Sequence, residues 1–461
     1  MEPLTTATVP MSSYDPTAVL PGTVIRPGDA SYDDARRLWN GMIDRRPALI
    51  VRCRDAQEVR AAVVAARARG LPVAVRGGGH NAAGLALCDD GLVIDLSQMR
   101  GVTVDPDART ARVEGGATWA DVDAATQAHG LAVTGGAIST TGVGGLTLGG
   151  GIGWLMRRQG LACDNLVAAE LVTADGHAVR ASDHENPDLL WGLRGGGGNF
   201  GVVTAFTFRL QPLDGVVSGL LVHPLARAKE VLRFYREFTR SAPDTLTVFA
   251  GLLTSPEGAP ICALIPSWCG PAEEAEAALR PLREFGPPLA DLVQPMPYVA
   301  QQRLLDDGMA PSGFQVYWRG EFLRALTDET IDALVDAYAA ATSPLSVLVI
   351  EQMGGAVARV PRDATAFPNR DAAFNLAMVG RWTDPAERDV HVRWVRDVHD
   401  AVRPSALGSY VNYLGVEEGA DRVRGAYGDA TYARLVALKN AWDPENVFRF
   451  NQNVAPNWRL A

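Results

Sequence analysis

An α+β fold is expected, built from two parts of different texture. Three glycine-rich clusters before residue 202 each interrupt apolar, β-type sequence. From Gln211-Pro212 onward the clusters thin out, and strand-like runs alternate with amphipathic helical ones. That second texture reads as an antiparallel sheet with helices on one face. The 461 residues, 47% hydrophobic and 21% charged, have globular composition and length for two or three domains.

A formal net charge of −10 and the lack of a long basic run argue against nucleic acid as a partner. Five cysteines (Cys53, Cys88, Cys163, Cys262, Cys269) form no CxxC pair, so neither a zinc site nor a disulfide framework is expected. Met1 to Pro16 has no basic n-region and no apolar h-region, and no stretch is long and apolar enough to span a membrane. A cytoplasmic protein with a flexible start is expected.

The elements follow in order. Residues 30–47, rich in Arg and Asp, read as a helix ending before Pro47. Ala48 to Cys53 is a short buried strand. Asp55 caps a helix from Ala56 to Arg69, with Val59, Ala62, Val63 and Ala66 on one face, and Gly70 ends it. The next strand, 72–75, delivers Arg76-Gly77-Gly78-Gly79-His80-Asn81, so a β-α-β unit places glycines at the carboxyl end of a strand. Three residues without Cβ let the backbone approach a ligand, and successive N–H groups in such a turn make an anion site. The stretch reads as a pyrophosphate cradle with a reactive imidazole at its edge.

Leu92 to Asp95 is a further strand. Val102 to Val113 is a hairpin about Asp105-Pro106-Asp107. Thr118 caps a helix over 119–129, with Asp121 and Asp123 in its first turn as the dipole favours, and Gly130 closes it. The second loop, 131–153, has nine glycines between Gly135 and Gly153, interleaved with apolar residues. It reads as backbone wrapped round a flat or phosphorylated ligand. The third loop, Trp191 to Gly201, matches G-x-G-x-x-G at 196–201. A strand follows it, however, whereas a Rossmann fingerprint opens a helix. A dinucleotide is therefore expected, held in another manner.

In the second part, helices are expected near 225–241, 271–285, 327–342 and 384–402. Strands are expected near 246–253, 261–267, 314–319, 345–352 and 373–381, and residues 285–313 read as loop. His391 and His399 share a face of a charge-rich helix that reads as solvated, and no metal is assigned. Ser409 to Tyr413 reads as an aromatic strand, and a helix over 430–440 leads into Phe448-Arg449-Phe450-Asn451-Gln452-Asn453. The amides of this tail suit a planar heterocycle.

Taken together, Arg76-Gly-Gly-Gly-His80, Gly149-Gly-Gly-Ile-Gly153, Asp188 through Gly201, Tyr410-Val-Asn-Tyr413 and Phe448 through Asn453 resemble the berberine-bridge-enzyme-like flavin oxidases of the vanillyl-alcohol-oxidase superfamily. The resemblance runs over nearly the whole chain, in order. It implies FAD held in a two-subdomain PCMH-type domain, formed by residues 1–212 and a returning segment 406–461, around a substrate domain at 213–405. The covalent histidine of the family falls on His80. The position of a second, cysteinyl link falls on Ile138, so a single tether is expected.

Expected cofactor contacts in the first loop are Arg76, Gly77, Gly78, Gly79, His80, Asn81 and Gly84. In the second they are Gly136, Thr140, Thr141, Gly142, Gly144, Gly145, Gly150 and Gly153. Val202 and Val203 follow the third loop, and Asn412, Asn451 and Asn453 lie in the tail. The reaction implied is hydride transfer to the flavin from a carbon bearing OH or NH. Tyr410 and Tyr413 are the candidate bases. Members commonly place an acid just after this motif, whereas here Leu414-Gly415 intervene before Glu417 and Glu418. Glu351 and Gln352 end a strand on which only one can face the site, and Gln352 is favoured, with Glu351 as the alternative base. The expectation is an oxidase of an alcohol, hemiacetal or amine in a small molecule, using O2, acting as a monomer or homodimer. The alternatives are a dehydrogenase with another acceptor, and a flavin-binding protein without turnover.

Overall fold

The computed structural model describes residues 20, 22–309, 313–415 and 417–457. The first sixteen residues, read above as a flexible start, lie outside them. Strands Thr23–Ile25, Leu49–Arg52, Leu92–Asp95 and Val73–Arg76 form a four-stranded sheet in that spatial order, the last three parallel. The crossover helix Ala56–Ala68 starts where the Asp55 carboxylate accepts the Glu58 N–H at 2.9 Å. Its Val59, Ala62, Val63 and Ala66 are buried against the sheet.

A five-stranded antiparallel sheet follows, in the order Val102–Asp105, Thr110–Glu114, Val202–Arg209, Leu166–Val172, Ala178–Ser182. The strand after the third glycine loop is its centre, and Phe206 and Phe208 are fully buried there. The largest sheet has ten strands, all pairings antiparallel, and takes in strands from Val216–Ser218 to Ala406–Gly408. Strands Leu246–Thr254, Pro260–Trp268, Gln315–Leu323, Val347–Gln352 and Phe374–Trp382 lie within a residue or two of expectation at most ends, though Gln315–Leu323 runs four residues further. Helices Ala228–Ser241, Ala275–Glu284, Asp328–Ala339 and Arg388–Val402 bury Val231, Leu282, Leu334 and Val395 in one apolar core. The opposite face of the sheet is left for the site.

Four local expectations are corrected. Only Tyr32–Ala35 of residues 30–47 is helical. Beyond it the chain breaks into bends and turns, where Asn40 donates to the Ala82 and Val316 carbonyls, at 2.7 and 2.9 Å. Ser409–Tyr413 is not a strand: Val411–Tyr413 is a 3₁₀ turn, with the Tyr413 N–H donating to Tyr410 O at 2.8 Å. Asp123 does not serve the helix dipole at the surface, since it is buried and accepts from Gln302 Nε2 at 2.9 Å. His391 and His399 are buried rather than solvated, bonded to Thr342 and Glu321 respectively. Among the described residues no helix is long and apolar enough to cross a membrane.

Candidate active site

Between the ten-stranded sheet and the two smaller ones lies a cavity of about 1000 Å³. That is the upper end of the ~300–1,000 Å³ usual for small-molecule sites. The first two glycine loops form one wall together. A Cβ on Gly78 would lie 2.4 Å from Gly142 N, and one on Gly142 the same distance from Gly78 N, so the two backbones touch. Gly145 and Gly198 are different. Both line the cavity, yet a Cβ on either would meet no protein atom within 4 Å. The space beside these two glycines is open to the cavity, so their backbone can be approached closely by a ligand.

Of the first-loop residues, Gly77, Gly78, Gly79, His80 and Asn81 line the cavity. Arg76 turns away and donates to the Ala35 carbonyl. Gly84, at φ +68°, closes the loop against Ile43. In the second loop Gly136, Thr141, Gly142, Gly144 and Gly145 line it. Gly150 and Gly153 lie behind: a Cβ on Gly150 would strike Phe367 at 2.7 Å, and one on Gly153 the Gly135 carbonyl at 1.7 Å. Val203 lines the cavity, while Val202 packs into the core beneath. Asn412 and Asn451 line it too. The side-chain oxygens of Asn451 and Asn453 are buried without a hydrogen-bond partner.

His80 stacks on Trp39, ring centroids 5.4 Å apart and planes 15° from parallel. Its Nε2 is 3.0 Å from Thr140 Oγ1. The imidazole lines the cavity, and burial pulls its pKa down to about 4. It is therefore neutral at physiological pH, the state a nucleophile needs.

Facing the same cavity, Tyr413 donates its hydroxyl to Glu351 Oε1 at 3.0 Å. Asn375 Nδ2 donates to the other carboxylate oxygen. Burial raises the Glu351 pKa to about 7, against these two hydrogen bonds, which lower it. Tyr413 is held well above the ordinary phenol value by burial and by the Glu351 charge. Tyr410 meets Tyr413 edge-on at 4.9 Å. Its hydroxyl oxygen accepts from Gly151 N at 2.8 Å and Asn412 Nδ2 at 2.9 Å.

The preference for Gln352 is corrected. Its amide oxygen accepts from Val248 N at 2.9 Å and its nitrogen donates to Thr239 O at 3.1 Å, both on the helix-covered side. The register Glu351↔Asn375 puts Glu351 on the cavity face instead. The acids that follow the tyrosine motif are engaged elsewhere: Glu417 with Arg396 and Tyr317, Glu418 with Gly415 N and Arg422. Two residues escaped the sequence reading. Asn375 carries no motif, and Trp39 sat in a stretch read as helix.

Comparison with known proteins places these features in a wider set. Residues 47–182 match the model of an FAD binding domain, and residues 409–455 match a family described as berberine and berberine like. An FAD-linked oxidoreductase of Dictyostelium discoideum is 33% identical over 438 residues, covering 94% of this chain and 95% of that protein. (R)-6-hydroxynicotine oxidase of Paenarthrobacter nicotinovorans is 31% identical, covering 94% and 97%. The crystal structure of 6-hydroxy-D-nicotine oxidase from Arthrobacter nicotinovorans superposes with a TM-score of 0.88 at 29% identity, covering 95% and 98%. The residues present fit FAD: glycines free of protein contact face the cavity, and the orphaned amide oxygen of Asn451 stands at its wall.

Proposed function

Since the chain belongs to the berberine-bridge-enzyme-like family of FAD-linked oxidoreductases, we propose that it oxidises an alcohol, hemiacetal or amine carbon of a small molecule, with O2 as the final acceptor. Residues 1–212 and 406–461 hold the cofactor in this reading, and residues 213–405 shape the substrate site. FAD, when bound, supplies the hydride acceptor and the route for the electrons onward.

The observation that carries the reading is the Tyr413–Glu351 hydrogen bond at 3.0 Å, in the same cavity as the glycine wall. As hydride leaves the substrate carbon, the O–H or N–H proton passes to the Tyr413 hydroxyl, which gives its own proton to Glu351. A carboxyl with a pKa of about 7 is matched to that task near neutral pH. Tyr410 is a positioning residue, because two donors fix its hydroxyl oxygen and its ring braces Tyr413. The wall above is apolar, with Val349, Ala377 and Val379 beside Trp39 and Trp318. It suits a metabolite with a flat, apolar body better than an oligosaccharide.

His80 tethers the cofactor covalently in this proposal, kept neutral by burial and oriented by Thr140 and Trp39. Ile138 lines the cavity where a second, cysteinyl link would arise, which supports a single bond. The test is acid precipitation of the purified protein beside His80→Ala. Flavin colour in the wild-type pellet and in the mutant supernatant is expected. Colour in both supernatants rejects the tether, and colourless protein from FAD-replete cells rejects the function. Peroxide release during turnover then separates the oxidase from a dehydrogenase.

A further inference from the structure

The cavity wall is polar at one end and apolar along its length, with a single cation at the far end. Along the strand Phe374–Trp382, Asn375 holds Glu351, and Ala377, Val379 and Arg381 follow on the same face of the sheet. Leu376, Met378 and Trp382 point the other way, into the helix-covered core. Arg381 is 3% exposed, and its guanidinium carbon sits 3.9 Å above the centre of the Phe314 ring. Among the described residues lining the cavity it is the one cationic side chain, while Glu351 and Asp307 carry the opposite sign.

From Asn375 to Arg381 the strand advances about 20 Å at its usual rise. Val347 and Val349 on the neighbouring strand fill the interval beside Ala377 and Val379. An arginine keeps its charge even where water is scarce, and its planar fork matches carboxylate and phosphate oxygens two at a time. A substrate anion near Glu351 would be repelled when that group is ionised, whereas one at the other end would be drawn to Arg381.

We propose that Arg381 is the specificity-determining residue of this site, and that the substrate is an elongated organic anion. Its acidic group is held by Arg381, its flat apolar body lies along the valine stripe, and the carbon to be oxidised reaches the Glu351–Tyr413 end. This inference rests on the function proposed above.

The test is calorimetric titration of the flavin-loaded protein with biphenyl-4-carboxylate and with the neutral biphenyl-4-carboxamide. The carboxylate is expected to bind roughly tenfold to hundredfold tighter, the worth of a charged hydrogen bond in a site of low polarity. Arg381→Met is expected to erase that preference while leaving carboxamide binding in place. Arg381→Lys, which keeps the charge and loses the fork, is expected to retain part of it. Flavin absorbance of the same samples reports on the underlying function. Protein that carries no flavin overturns both readings. Flavin-loaded protein that binds the two probes alike, or binds neither, overturns the Arg381 assignment alone.

Discussion

At Glu351 the carboxyl loses water and gains two donors, and desolvation is the larger effect, leaving a pKa of about 7. A base must be deprotonated to act, so kcat/KM is expected to rise with pH through about 7 and level off above it. Glu351→Gln is expected to lower kcat by about 10²–10⁴-fold, the usual worth of a general base, and to remove that limb from the profile. A full pH series on both proteins checks it, and an unchanged limb in the variant assigns the titration to another group. The sequence reading favoured Gln352 over Glu351 and chose the wrong one, because alternation says that one faces the site but not which. The phase is set by a contact made far away in the chain: Gln352 is drawn to the Val248 N–H and Thr239 carbonyl, and Glu351 is left to the cavity. His80 needed no such contact to be found, since a lone histidine after three glycines is a local signal.

Among the elements, the short helix Val143–Leu148 is the most informative. Gly145 lies within it at a cost of about 1 kcal/mol relative to alanine. Gly145→Ala is therefore expected to leave the flavin-free protein as stable or slightly more so in denaturant titration, while weakening FAD retention on dialysis. Equal FAD retention would show that the glycine serves something else. The helix Trp119–Gln127 carries a second consequence. Burial raises the Asp123 carboxyl from 3.8 to about 8, so the folded protein holds a proton there that the unfolded chain releases. Stability from this group is full below about pH 4 and is lost as pH rises toward 8. Asp123→Asn, which can still accept from Gln302, is expected to raise Tm at pH 8.5 and to change it little at pH 4.5 in thermal melts.

The long strands of the large sheet were legible because they are near-continuous apolar runs, buried on both faces. Residues 30–47 were not: their helical pattern yields to the bonds of Asn40 with Ala82 and Val316. The tyrosine motif misled for a similar reason. As a strand it would throw Tyr410 and Tyr413 to opposite faces, whereas the 3₁₀ turn brings their rings to 4.9 Å.

Across the whole molecule, the C-terminal helix Asp429–Trp442 locks the tail to the third glycine loop through one buried ammonium. Lys439 Nζ donates to Asn199 O at 2.8 Å, Phe448 O at 2.9 Å and Asp443 Oδ2 at 2.7 Å. Lys439→Met strands the Asp443 carboxylate and is expected to cost about 3–5 kcal/mol, measured by denaturant unfolding. The same variant is expected to release FAD, because Asn451 hangs from this junction through Gly198 and Phe448. The cavity wall draws on residues from Trp39 to Gln452. A ribosome delivers the first glycine loop hundreds of residues before the tail that completes the wall, and synthesis at about 5–20 residues per second makes that interval many seconds long. The nascent chain thus spends that interval without the segment that completes the wall round its cofactor. Messages cut short anywhere before the codon for Phe448 would yield colourless protein, however much flavin the cell supplies.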